Sequence, residues 1–78
     1  MKNYKVIYKN KKTGINGTYD NVFAFVINKL GEFIDLYFKG DNNARTLLTL
    51  CIPYHEEIEI YLDDTRIYYF KDGKEINV

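Results

Sequence analysis

The sequence predicts an all-β protein, a single small antiparallel meander of six or seven short strands that takes up residues 1–78 as one domain. Three observations carry that expectation. Turn chemistry recurs at close spacing, at 10–17, Asn28–Gly31, 40–43, Asp63-Asp64 and Asp72-Gly73. Between the turns, apolar and polar residues alternate with a period of two. No segment sustains the 3.6-residue period of a long amphipathic helix, and the longest apolar run, Val22–Ile27, has six residues.

The first strand is expected over Asn3–Lys9, with Tyr4, Val6 and Tyr8 on one face and Lys5, Ile7 and Lys9 on the other. Residues 10–17 hold two glycines and two asparagines and read as a loop, and a second strand follows over Thr18–Ile27. Asn28-Lys29-Leu30-Gly31 fits a type I turn closed by a left-handed glycine, the three-residue hairpin loop that leads into a third strand, Glu32–Lys39.

That turn implies a register. With Asn28 opposite Glu32, Val26 meets Ile34, Ala24 meets Leu36 and Val22 meets Phe38, all on a core face. The alternate positions, Phe23, Phe25, Ile27, Phe33 and Tyr37, then form an aromatic second face interrupted only by Asp35. An apolar patch of that size usually marks a contact site.

Gly40-Asp41-Asn42-Asn43 reads as a turn and Arg45–Ile52 as a fourth strand, with Thr46, Leu48, Leu50 and Ile52 on one face and Leu47, Thr49 and Cys51 on the other. One short helix near 43–51, giving an α+β fold, is the competing reading. Leu47, Leu48, Leu50 and Cys51 also make an i, i+3, i+4 stripe that Asp41 or Asn43 would cap. Thr46, Thr49 and Ile52 favour the strand. Pro53 interrupts it, since proline has no N–H for a ladder. Glu57–Leu62 follows as a strand with Ile58, Ile60 and Leu62 inward, and Asp63-Asp64 turns the chain into Thr65–Lys71.

Asp72-Gly73 between two alternating runs is a strong hairpin signal. Pairing Lys71 with Lys74 sets Tyr69 against Ile76 and Ile67 against Val78, which leaves Arg66, Tyr68 and Phe70 off the core side with Glu75 and Asn77. Such a meander is expected to curl into a small barrel of the SH3-like or OB-like kind.

Composition narrows the function classes. A chain of 78 residues buries only ~60–65% of its unfolded surface, so its core is thin and gains from closure or a partner. One cysteine forms no internal disulfide, and one His with one Cys makes a poor zinc site, so no metal or cofactor is expected and a reducing, cytoplasmic setting is the simplest. No leader or membrane-spanning segment is expected. Richness in Lys, Asn, Ile and Tyr suggests an AT-rich genome, that of a low-GC bacterium or its phage. Net charge is zero, yet residues 1–40 carry seven Lys against three acids and residues 41–78 four basic residues against eight acids. Sequential strands usually neighbour one another, so the two halves are expected to interleave and cancel.

No catalytic residue is assigned. His55 reads as a solvated turn residue, Cys51 as a small apolar core residue, and Glu57, Glu59, Asp63 and Asp64 as a solvated acidic edge. The function expected is a non-catalytic interaction module that forms a homodimer or other homo-oligomer, or binds a protein partner, through Phe23, Phe25, Ile27, Phe33, Tyr37, Tyr68 and Phe70. The alternative is binding of single-stranded nucleic acid or a nucleotide ligand by exposed aromatics near Lys2, Lys5, Lys9, Lys11 and Lys12.

Overall fold

The computed structural model describes residues 3–39 and 45–76. Its strands are β1 Tyr4–Asn10, β2 Asn16–Asn28, β3 Phe33–Lys39, β4 Arg45–Cys51, β5 His55–Leu62, β6 Thr65–Lys71 and β7 Lys74–Glu75, with a 3-10 turn at Ile52–Tyr54. All pair antiparallel in one sheet of order β4-β3-β2-β1-β5-β6-β7. The helix considered near 43–51 is absent over the described part of that segment, where β4 pairs with β3 along its length. The turn expected at 40–43 and the partners expected at Asn77 and Val78 lie outside the described residues.

The connection between β4 and β5 forces the sheet to curl. Four strand intervals separate them, ~19 Å in a flat sheet. From Cys51 to His55 even a fully extended chain reaches only ~14 Å, and the 3-10 turn is shorter still. The ends of β4 and β5 can meet only if the sheet bends. Side chains record the bend: Phe25 on β2 packs edge-on against Tyr68 on β6, with centroids 5.7 Å apart, although β1 and β5 lie between those strands. Lys29, in the β2–β3 turn, reaches Glu75 on β7 at 3.4 Å. The ladder itself stays open, with β4 and β7 at its ends, so the barrel closure expected from the sequence is not seen.

Bulges supply the curvature, because an extra residue on one strand bends it and increases its twist. The β1–β2 register shifts between Tyr4 and Val6, where Asn21 takes φ 63°, and the β2–β3 register shifts between Val22 and Ala24. Val22 therefore sits between two bulges. A third shift, at Ile60/Tyr61, leaves Ile67 as the extra residue of β6. The concave face holds the buried core: Val6, Val22, Ile34, Leu36, Leu50, Ile52, Ile58, Ile60 and Phe70. Ile52, from the 3-10 turn, packs into that core below β4.

The second bulge overturns the expected β2–β3 register. The turn spans 29–32, not 29–31, and Asn28 pairs with Phe33. Its left-handed residue is Glu32, at φ 57°, while Gly31 serves a different need: a Cβ there would overlap the Phe33 ring. A one-residue slip exchanges the faces. Phe25 now pairs with Leu36 and Ile27 with Ile34 on the core side, while Val26 pairs with Asp35 and Ala24 with Tyr37 on the outer side. The bulge at Phe23 absorbs the slip, so Val22 still opposes Phe38.

The last hairpin needs a similar correction. Lys71 does pair with Lys74 across Asp72-Gly73, both of which have positive φ. However, the faces of β6 are set by β5, its longer neighbour: Ile58 opposes Phe70 and Ile60 opposes Tyr68, which draws both aromatics onto the core side. Phe70 is 4% exposed, and Tyr68 packs against the core.

Candidate interaction surface

The outer face of the sheet divides into two halves with different chemistry. On β1, β5 and β6, polar groups answer one another. Rows of paired residues run Lys5–Tyr61–Arg66, Ile7–Glu59–Tyr69 and Lys9–Glu57–Lys71. Glu59 Oε2 accepts from Tyr61 Oη at 2.8 Å and from Arg66 Nη1 at 3.1 Å, and Tyr69 Oη donates to Glu57 at 3.2 Å. The Arg66 guanidinium stacks 4.3 Å from the Tyr69 ring centroid. Donation to Glu59 raises the Tyr61 hydroxyl above its ordinary pKa; for Tyr69, burial and then donation to Glu57 do the same. This half is internally matched.

Ion pairs also settle how the charges are placed. Lys9–Glu56, Lys11–Asp72 and Lys29–Glu75 each join a lysine of the basic half of the chain to an acid of the acidic half. The two halves do not interleave strand by strand: β3, β2 and β1 form one block with β4 on one side and β5–β7 on the other, and the opposite charges meet across the β1–β5 boundary and across the curl.

The outer side of β2, β3 and β4 is largely apolar. Its rows run Ala24–Tyr37–Leu47, Val26–Asp35–Thr49 and Asn28–Phe33–Cys51. Val26 is 52% exposed and Leu47 55% exposed, in the middle of strands rather than in loops. Phe23 lies beside Tyr37, with ring centroids 6.5 Å apart. The one carboxylate of these rows is occupied, as Thr49 Oγ1 donates to Asp35 Oδ1 at 2.7 Å.

Of the residues expected to form the interaction surface, the structure brings Phe23, Phe33 and Tyr37 together here. Phe25, Ile27, Tyr68 and Phe70 are instead on the core side. Ala24, Val26 and Leu47 take their places. Val26 was hidden from sequence reasoning because no glycine marks the bulge before it. Leu47 was visible as an off-core position of β4, and only its neighbours were misplaced.

His55 and Cys51 also differ from expectation. His55 is 7% exposed at the start of β5, edge-on to Tyr8, and its Nδ1 donates to the Cys51 carbonyl at 2.6 Å. A carbonyl only accepts, so Nδ1 carries a proton. Cys51 pairs with Phe33 on the outer face and is only partly buried, not a core residue. Asp63 and Asp64 form the exposed β5–β6 turn, away from the Glu57–Glu59 network on the strand. Among the described residues no group of three or more His, Cys, Asp or Glu side chains is placed to hold a metal ion.

A recess of about 420 Å³ lies elsewhere, between the β1–β2 turn and the 3-10 turn, lined by Asn10, Lys11, Lys12, Thr13, Pro53 and Tyr54. Asn10 Oδ1 accepts from the N–H groups of Lys12 and Thr13, and the Lys11 N–H donates to the Tyr54 carbonyl, so local bonding accounts for the recess walls. No helix among the described residues is long and apolar enough to cross a membrane. Comparisons of the chain with protein-family models, with characterised proteins and with solved structures give no match.

Proposed function

We propose that the protein is a non-catalytic interaction module whose working surface is the outer side of β2, β3 and β4. The observation that supports this is the asymmetry of one sheet face. Where β1, β5 and β6 show hydrogen-bonded charges, β2–β4 show a largely apolar surface, broken by the Asp35–Thr49 pair, with Val26 and Leu47 more than half exposed. Burying such surface contributes roughly 25 cal/mol per Å², which is substantial for a domain with so thin a core. A module of this kind acts by occupying a partner's surface, as small regulators and inhibitors of phage or mobile-element type do. Single-stranded nucleic acid binding draws less support, because Lys9 and Lys11 are each already paired with an acid.

Site-specific photo-crosslinking in the native cell tests the reading. A photoreactive residue at Val26 should give protein adducts, and the same residue at Lys71, on the charged half, should not. Equal adduct yields from both positions, or none from Val26, would refute it.

A further inference from the structure

We infer that the protein also pairs with a second copy of itself, joined strand to strand along β4 about a two-fold axis at Leu48. This goes beyond the reading of the β2–β4 outer face as the working surface: it assigns the open edge beside that face to a second copy and leaves the face itself uncovered.

The backbone of β4 shows which of its groups are free. In an antiparallel ladder, rungs that exchange hydrogen bonds alternate with rungs that do not. The Ile52 N–H donates to the Glu32 carbonyl at 2.9 Å, one rung beyond Cys51–Phe33. Counting back, the bonded rungs are Leu50–Ile34, Leu48–Leu36 and Thr46–Phe38. The Thr49–Asp35 rung is then unbonded and has the closer side chains, in accord with their 2.7 Å hydrogen bond. The N–H and C=O of Leu47 and Thr49 therefore point away from β3. Among the described residues no other strand lies on that side of β4 and no hydrogen bond meets those groups. Cys51 faces the same way, and its carbonyl is the one already taken by His55.

Among the described residues, Thr46–Cys51 of this edge carries none of the bulges, prolines or charges that usually protect one. Natural edge strands are blunted by bulges, prolines, charges or brevity. The other end of the sheet is blunted: β7 has two residues, both charged, and β6 carries a bulge, Arg66 and Lys71. By contrast β4 pairs with β3 over seven residues without a register shift, and Thr46–Cys51 holds neither a charge nor a proline. The free groups are also complementary to themselves. About an axis at Leu48, Leu47 of each copy exchanges N–H and C=O with Thr49 of the other, and the half-buried Leu48 side chains meet on an unbonded rung. No like charges oppose within Thr46–Cys51, and the apolar outer faces of the two copies run on as one surface.

Amide hydrogen exchange on the full chain, with light scattering coupled to size exclusion, decides it. The expected result is a dimer in which exchange at Leu47 and Thr49 slows about tenfold once nine-tenths of the chains are paired. Leu47→Pro should give a folded monomer, because the lost N–H faces outward and β3 loses no bond. Should Leu47→Pro fail to fold, the exchange measurement on the wild-type chain decides alone. Val26→Asp should leave the dimer intact. A dimer broken by Val26→Asp with Leu47 and Thr49 unprotected overturns edge pairing while supporting the docking face. A chain monomeric at every concentration overturns edge pairing, and the crosslinking at Val26 then judges the docking face separately.

Discussion

Replacing Phe25 and its neighbour Val26 in turn tests the β2–β3 register, on which the position of the candidate surface depends. Phe25 lies on the core side, edge-on to Tyr4 at 4.9 Å and to Tyr68 at 5.7 Å. Truncating a fully buried Phe to Ala costs ~3–5 kcal/mol. Phe25 is only partly buried, but it also loses two aromatic contacts worth ~0.5–1.5 kcal/mol each, so Phe25→Ala should cost about 3 kcal/mol. A domain of 78 residues has a total stability of ~4–12 kcal/mol, so the loss is a large part of it. Val26 is 52% exposed beside Asp35, and Val26→Ala should cost about 0.5 kcal/mol. Urea denaturation followed by far-UV circular dichroism and tyrosine emission measures both; the chain has no Trp. The three-residue turn would make Val26 the core residue and Phe25 the outer one. A Val26→Ala cost equal to or above that of Phe25→Ala would therefore refute the observed register.

Three further outcomes follow from the same geometry. Gly73→Ala should cost roughly 1–2 kcal/mol, seen as a lower thermal midpoint: the residue has φ 83°, while the nearest atom to a new Cβ, Pro53 Cα at 3.8 Å, leaves room for it, so the cost is backbone strain. Asn28→Ala should cost about 1 kcal/mol in the same urea assay by removing the Oδ1 that accepts from Gly31 N–H at 2.7 Å. The Tyr8 hydroxyl, then burial, push Tyr19 up to about 12. Its pKa is thus raised on folding, and the stability it contributes is full below pH 10 and is lost as pH rises through 12. Tyr19→Phe should flatten that part of the stability–pH curve, and an unchanged curve would remove Tyr19 as its cause.

The legible parts of the fold were those set by local signals. Asp72-Gly73 fixed its hairpin to the residue, and the alternation in β1, β3, β4 and β5 put Val6, Ile34, Leu36, Leu50, Ile58 and Ile60 inside. The errors occur where a neighbour in space outweighs the local pattern. In β2 every residue of Val22–Ile27 is apolar, so alternation could not report which set faces inward, and a loop one residue longer than expected exchanged Phe25 for Val26. In β6 the local guide was Ile76, whereas β5 sets the orientation by pairing Ile58 with Phe70. His55 looked exposed because it follows Pro53 and Tyr54. The tight β4–β5 connection instead places its ring under Tyr8 and against the Cys51 carbonyl.

The same bulge that completes the core also creates the candidate surface. If β2 ran without an extra residue at Phe23, keeping Val22 inside would keep Ala24 and Val26 inside as well and turn Phe25 and Ile27 outward. The bulge lets Val22 and the two larger side chains share one face, where Phe25 bridges Tyr4 and Tyr68 across the curl. What it leaves outside is smaller and flatter: Ala24 and Val26 on β2, beside Tyr37 on β3 and Leu47 on β4. Flat, unkinked strands pair and stack more readily than bulged ones, and here the bends are concentrated in β2, β5 and β6 while the β3–β4 ladder stays regular. Curvature and the proposed association thereby fall to different parts of one sheet, with the outer face and the open edge meeting at Leu47 and Thr49.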